Sequence, residues 1–156
     1  MASLTPGMKA PPFSLPTGEG KTLSLKELKG KKVVLYFYPK DHTSGCTKEA
    51  CDFRDNHAAL RKAGAVVVGV SIDTPKSHAS FAEKFELPFP LVSDEEKELV
   101  TAYGVWKQKS MYGRKYMGIE RTTFVIDEAG KITHIFPKVS VSGHVDAILS
   151  ALREKE

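Results

Sequence analysis

Val33-Val34-Leu35-Tyr36-Phe37-Tyr38-Pro39 is the stretch on which the fold turns. Its apolar, β-branched and aromatic side chains follow one another with no polar alternation, the pattern of a strand buried on both faces. Pro39 ends the run because it has no N–H with which to continue a ladder. Further along, Ala65 to Ile72 reads as a second strand of this kind and Phe89 to Val92 as a third. Helices fill the intervals. Between the first two strands, Ala50, Phe53, Ala58 and Leu60 recur at helical spacing over 47–62, and Gly64 follows as a stop. Asp73 or Thr74 caps a second helix with Pro75 at its first position, running to Phe85. Ser93 or Asp94 caps a third, which runs through Tyr103.

Toward the N-terminus, Pro6, Pro11, Pro12 and Pro16 make an irregular lead-in as far as Gly18 to Gly20, and Leu23 to Leu28 form a short helical turn capped by Thr22 or Ser24. After the third helix, Gly104 to Glu120 reads as a long loop rich in Gly and Lys. Thr122 to Ile126 and Lys131 to Phe136 form a β-hairpin about a turn at Asp127 to Gly130, and Ser142 to Arg153 an amphipathic helix. The order is βαβαβα and then ββα. It implies an α/β fold whose mainly parallel central sheet carries helices on both faces, closed by a C-terminal β-hairpin plus helix. This is a thioredoxin-like arrangement, in a single domain over 1–156.

The bulk composition narrows the function. At 156 residues and 41% hydrophobic, the chain can bury a core without disulfide staples. Its net charge of +4 is spread among acids, as in Glu95-Glu96-Lys97-Glu98, and the basic cluster at Lys29, Lys31 and Lys32 reads as a solvated turn. A nucleic-acid groove needs a basic stripe interleaved with aromatics, so no nucleic acid is expected as a partner. No apolar run approaches the roughly 20 residues of a membrane span, and Met1 to Pro6 has neither the basic nor the apolar part of a secretory leader. The expected location is the cytoplasm. There, two cysteines read as reactive, metal-binding or inert rather than as a structural cross-link.

Cys46 and Cys51 lie in the segment Tyr38-Pro39-Lys40-Asp41-His42-Thr43-Ser44-Gly45-Cys46-Thr47-Lys48-Glu49-Ala50-Cys51. Ligands of open α/β sheets gather beyond the carboxyl ends of the strands, and Cys46 falls just past such an end, at a helix start. With Thr43 as N-cap, its hydroxyl is expected to accept from the Cys46 N–H. A sulfur in the first turn faces unpaired N–H donors and the positive end of the helix dipole, which favours the nucleophilic thiolate. The competing reading of Cys46 is a small buried hydrophobe.

Cys51 is a candidate for redox exchange with Cys46, or else simply packs beside Ala50 and Phe53. If both cysteines are helical, their Cα atoms are roughly 8–9 Å apart and their side chains diverge by about 140°. A disulfide needs Cα atoms within about 7 Å, so bonding requires the first turns to unwind. Metal binding by His42, Cys46, Cys51 and His57 is disfavoured because no second ligand pair accompanies them. His78, His134 and His144 read as surface or partly packed residues.

Pro39, Thr43 and Cys46 reproduce the PxxxTxxC signature, and the chain resembles the peroxiredoxins over essentially its whole length. Cys46-Thr47-Lys48-Glu49-Ala50-Cys51, Tyr36 to Lys40, Phe89 to Asp94, Met111 to Gly113 and Gly118 to Phe124 are similar to the bacterioferritin-comigratory, or peroxiredoxin Q, subgroup. The resemblance implies reduction of hydrogen peroxide and organic hydroperoxides without metal, haem or other cofactor. It makes Cys46 the peroxidatic cysteine and Cys51 the resolving one, joined in an intramolecular disulfide that thioredoxin or a similar dithiol reductant recycles. Thr43 would contact the sulfur and the peroxide, Pro39 would shield the site, and Arg121 would be the cation beside the thiolate.

Glu49 matches the family's Cys-Thr-x-Glu pattern, though a favourable charge in a first helical turn explains it nearly as well. The subgroup resemblance points to a monomer. Ser44 departs from it, since most relatives have Pro there, and the first turn is expected to unwind more readily as a result. Two other readings remain. One is a thioredoxin-like disulfide oxidoreductase, which normally uses Cys-x-x-Cys; the other is a redox-switched holdase.

Overall fold

The computed structural model describes residues 4–153; Met1 to Ser3, on which the reading of the leader partly rests, and residues 154–156 lie outside the described residues. The lead-in is more ordered than its prolines suggest, with an antiparallel pair β1 (Ser14–Pro16) and β2 (Thr22–Ser24) followed by a 3-10 turn at Leu25–Leu28 that Ser24 caps. The main elements are β3 (Lys32–Phe37), α1 (Ser44–Asp55), α2 (His57–Lys62), β4 (Ala65–Ser71), α3 (Pro75–Phe85), β5 (Leu91–Ser93), α4 (Glu98–Ala102), β6 (Trp106–Met111), β7 (Arg114–Ile119), β8 (Thr122–Ile126), β9 (Ile132–Phe136) and α5 (His144–Leu152).

β3 is the central strand, and Val33 through Tyr38 are all buried. Alternate side chains feed two cores. Val34, Tyr36 and Tyr38 pack with Phe53, Leu60, Phe81 and Ile148 from helices on one face. Val33, Leu35 and Phe37 pack on the other with Leu99, Val100, Tyr103 and Phe124. Gly69 sits opposite Tyr36 in the β3–β4 register because a Cβ there would lie 2.9 Å from the Tyr36 ring and 2.8 Å from Leu91. That absence of a side chain lets Tyr36 stack on Tyr38 and Phe53.

The five-stranded sheet has the order β5-β4-β3-β8-β9. It is mixed rather than mainly parallel: β3–β4 and β4–β5 run parallel, β3–β8 and β8–β9 antiparallel. The reason lies in 104–120, expected to be a loop. It forms the β6–β7 hairpin, an antiparallel pair outside the main sheet. This connection delivers the chain to the opposite end of the sheet from the one a helical crossover would reach. β8 therefore starts beside the end of β3, with Thr122 opposite Phe37. The residue before it, Arg121, arrives at the carboxyl end of the central strand.

Two helices depart from their expected bounds. The expected 47–62 helix is broken at Asn56 (φ −107°, ψ 12°) into α1 and α2. α4 begins only at Glu98, after Lys97 in a left-handed conformation; Asp94, expected as its cap, instead accepts from the Val100 N–H at 2.8 Å. α3 starts as read, with the Thr74 hydroxyl accepting from Ser77 N–H and Pro75 at the first position. Among the described residues, no helix is long and apolar enough to cross a membrane.

Candidate active site

Beyond β3 the chain turns through Pro39 to Thr43 and enters α1, with Thr43 at the N-cap and Cys46 at the third helical position. Cys46 is only 1% exposed, Cys51 is half-buried, and both are free thiols. Both are helical, so the distance argument against a direct disulfide applies to the folded helix. Pro39 is half-buried at the strand end and Thr43 is exposed. Thr43 caps by position and not by the bond expected of it. Its hydroxyl donates backward to the Lys40 carbonyl at 2.8 Å rather than accepting from the Cys46 N–H. The Cys46 amide thus keeps the unpaired character of a first-turn donor.

Arg121, at the mouth of β8, completes the group. Its Nη2 donates to Cys46 Sγ at 3.2 Å, and its Nη1 donates to Glu49 Oε1 at 2.5 Å. Glu49 lies at the sixth helical position, past the first turn, and is fully buried. Its role as a first-turn charge is therefore corrected: it is the anchor that aims Arg121. Burial pushes its carboxyl up to about 7, against the downward pull of Arg121, and its Oε2 has no hydrogen-bond partner among the described residues. For Arg121, burial works against the charge, but Glu49 and the Cys46 sulfur outweigh it and raise its affinity for the proton.

Two of the histidines expected to be surface or partly packed residues, His78 and His144, are buried. His144 pairs with the Thr123 hydroxyl at 2.8 Å, and burial, reinforced by the nearby Arg121 charge, lowers its pKa to about 4, so it is neutral near pH 7. His78 joins Asp41 and Asp73 at the ends of β3 and β4. No local sequence pattern marks these three as a group, because the hydrogen bonds that join them run between different elements. A cleft of about 380 Å³ lies away from this group, at the far end of the sheet between Ala10, Leu25, Leu28, Val33 and Ile126.

The AhpC/TSA family profile matches residues 6–135. The chain belongs to the AhpC/TSA family. Within it, a Coxiella burnetii protein assigned to peroxiredoxin bcp is 57% identical over 96% of this chain and 99% of its own. The peroxiredoxin Bcp of Bacillus subtilis is 49% identical over 95% and 94%. The solved structure of a Xanthomonas campestris bacterioferritin comigratory protein superposes with a TM-score of 0.89 at 40% identity, covering 96% of this chain and 98% of that one. The family fold is thus the thioredoxin-like one, with the mixed sheet described above.

Proposed function

We propose that this protein is a thiol peroxidase that reduces hydrogen peroxide and organic hydroperoxides through Cys46. The observation that carries the reading is the Arg121 guanidinium, held by buried Glu49 with its second nitrogen 3.2 Å from the Cys46 sulfur. A fixed fork of donors stabilises a thiolate and meets the charge that develops on the peroxide oxygens. The Cys46 thiolate attacks one peroxide oxygen, the O–O bond breaks, and the leaving oxygen departs with a proton as water or alcohol. Cys46 becomes a sulfenic acid. Thr43, whose own hydrogen is committed to Lys40, presents its oxygen to the O–H of the bound hydroperoxide, and Pro39 walls the site at the strand end.

Cys51 then attacks the sulfenic sulfur, forming the disulfide and releasing water. This requires the first turns of α1 to unwind. A dithiol such as thioredoxin returns both cysteines to thiols. The Xanthomonas campestris relative, studied for alkyl peroxide reduction activity, supports organic hydroperoxides as substrates here. The four-residue spacer between the cysteines favours a peroxidase over a disulfide oxidoreductase. We place the protein in the cytoplasm as a monomer.

The test is a thioredoxin-coupled peroxidase assay. Cys46→Ser should abolish turnover. Cys51→Ser should keep the first oxidation and lose recycling. Turnover persisting without Cys46 would overturn the reading.

A further inference from the structure

The cluster at the ends of β3 and β4 lies apart from the Cys46–Arg121–Glu49 group. One ligand-type atom each from Asp41, Asp73 and His78 lies within 4.8 Å of the others. A cation is not what this arrangement serves, because its atoms are committed to the protein. Asp41 Oδ1 accepts from the Tyr38 hydroxyl at 2.6 Å. Asp41 Oδ2 accepts from the Ser77 hydroxyl at 2.8 Å and meets His78 Nδ1 at 2.7 Å. His78 Nε2 reaches the Val92 carbonyl at 3.0 Å. Asp73 Oδ2 accepts from the Ser71 hydroxyl at 2.6 Å and from the backbone N–H of Asp41 at 2.8 Å.

That last bond links the cluster to the active-site loop. The Asp41 N–H held by Asp73 and the Lys40 carbonyl that takes the Thr43 hydrogen belong to one planar peptide unit. Any tilt of this plane moves both bonds together. A carboxylate on the N–H side also polarises the peptide and strengthens the bond on its carbonyl side. The next residue, His42, has φ 65°, an uncommon conformation for a residue with a side chain. Such a conformation persists where its surroundings over-determine it, as the buried Asp41 side chain does here.

We propose that Asp73, supported by the Asp41–His78 pair, is a positioning residue for Thr43. It fixes the Lys40–Asp41 peptide so that the Lys40 carbonyl takes the Thr43 hydrogen, leaving the Thr43 oxygen directed to accept from the hydroperoxide. The proposal rests on the role given to Thr43 above. It makes a residue on the β4–α3 turn, with no bond to Cys46, specific to the peroxide step.

The experiment compares two reactions of the same thiol in the Cys51→Ser protein. One is oxidation by hydrogen peroxide and the other alkylation by iodoacetamide, which has no use for a Thr43 acceptor. Asp73→Ala should slow peroxide oxidation by about tenfold or more, the scale of a small misplacement of a catalytic group. Alkylation should change by less than about twofold. Asp73→Asn, which keeps an acceptor for the Asp41 N–H, should retain most of the rate. Thr43→Val with Asp73→Ala should be no slower than Thr43→Val alone, the signature of two residues acting as one unit.

Equal loss in both reactions, or multiplied losses in the double variant, would overturn the proposal. If Asp73→Ala does not fold, Ser71→Ala removes the hydroxyl that orients the carboxylate. It should give the same peroxide-selective loss at smaller size, and a loss shared by both reactions would refute it. An unchanged peroxide rate in Thr43→Val would instead sink the role of Thr43 itself, so the two failures can be told apart.

Discussion

Replacing Arg121 by Met should separate what the guanidinium does for the fold from what it does for the chemistry. Glu49 is fully buried, and Arg121 is its hydrogen-bonded partner. Removing one member of a buried ion pair costs about 3–5 kcal/mol, because the other charge is left uncompensated. That is a large share of the roughly 5–15 kcal/mol that holds a domain folded. The carboxylate can escape the penalty by protonating.

In the wild type, burial already raises Glu49 to about 7 from its ordinary 4.5. The native state therefore binds more protons than the unfolded chain between these values, and stability falls as pH rises through that window. At 1.36 kcal/mol per pH unit the fall is at most about 3 kcal/mol. Without Arg121 the carboxyl rises further and the window extends upward. The Arg121→Met protein should thus lose most stability at pH 8 and distinctly less at pH 5.5, in urea unfolding at both values.

The first-turnover rate with peroxide should fall by about 10²–10³, the cost of losing one preorganised donor. Adding Glu49→Gln should recover stability to within about 1 kcal/mol, since no charge is then stranded, and should leave the rate low. An Arg121→Met loss that is the same at both pH values would refute the argument. So would a double variant whose rate recovers along with its stability.

Two more predictions concern the unwinding of α1. Ser44 is at the first helical position and is exposed, so Ser44→Pro suits the site and should stabilise the helical form by about 0.4–1 kcal/mol. Disulfide formation after sulfenic acid should slow by roughly two- to fivefold, with slower amide exchange over 47–50; no change in either would remove Ser44 from the argument. Glu49 lies between the two cysteines, so opening the helix as far as Cys51 hydrates its carboxyl and returns it toward 4.5. Opening should therefore become easier as pH rises from 5 to 7, and Glu49→Gln should abolish that part of the pH dependence of disulfide formation. Identical pH profiles for the two proteins would show that Glu49 stays buried through the step.

What the sequence made legible is what local chemistry alone decides. β3 announces itself because Val33 to Phe37 are all buried, and α3 because a threonine cap and a proline at the first turn require nothing from elsewhere. The β6–β7 hairpin escaped because it lies outside the main sheet and most of its side chains are exposed, which leaves no period-two apolar signal. Glu49 was misplaced by helix position: the sixth residue of α1 faces the core, not the dipole end. Arg121 is an ordinary strand-end arginine until the direction of β8 is known; only the family resemblance singled it out. His78 is buried by partners on the loop after β3, on β4 and on β5, which no local reading of α3 supplies. The spacing of Ser71, Asp73 and His78 across a strand end and a capped helix start is the signal that could have drawn attention to them.

These placements divide the site into a part that stays and a part that must move. Arg121 is carried by the start of β8, and Val139 N–H ties its carbonyl at 2.8 Å. Lys40 and Asp41 are tied to the β4–α3 turn through Asp73 and to α3 through His78. Cys46, Glu49 and Cys51 all ride on α1, the element that opens in the proposed reaction. A single 3.2 Å contact from Arg121 to Cys46 spans the two parts, alongside the Arg121–Glu49 pair. While both contacts hold, the thiol is sheltered and poised for peroxide. In the proposed reaction, oxidation converts the thiolate into a neutral sulfenic acid, so the attraction between opposite charges on the sulfur and the Arg121 guanidinium is lost. The first step therefore weakens one of the contacts that hold α1 against Arg121, so the proposed chemistry itself favours the opening that a Cys46–Cys51 disulfide needs.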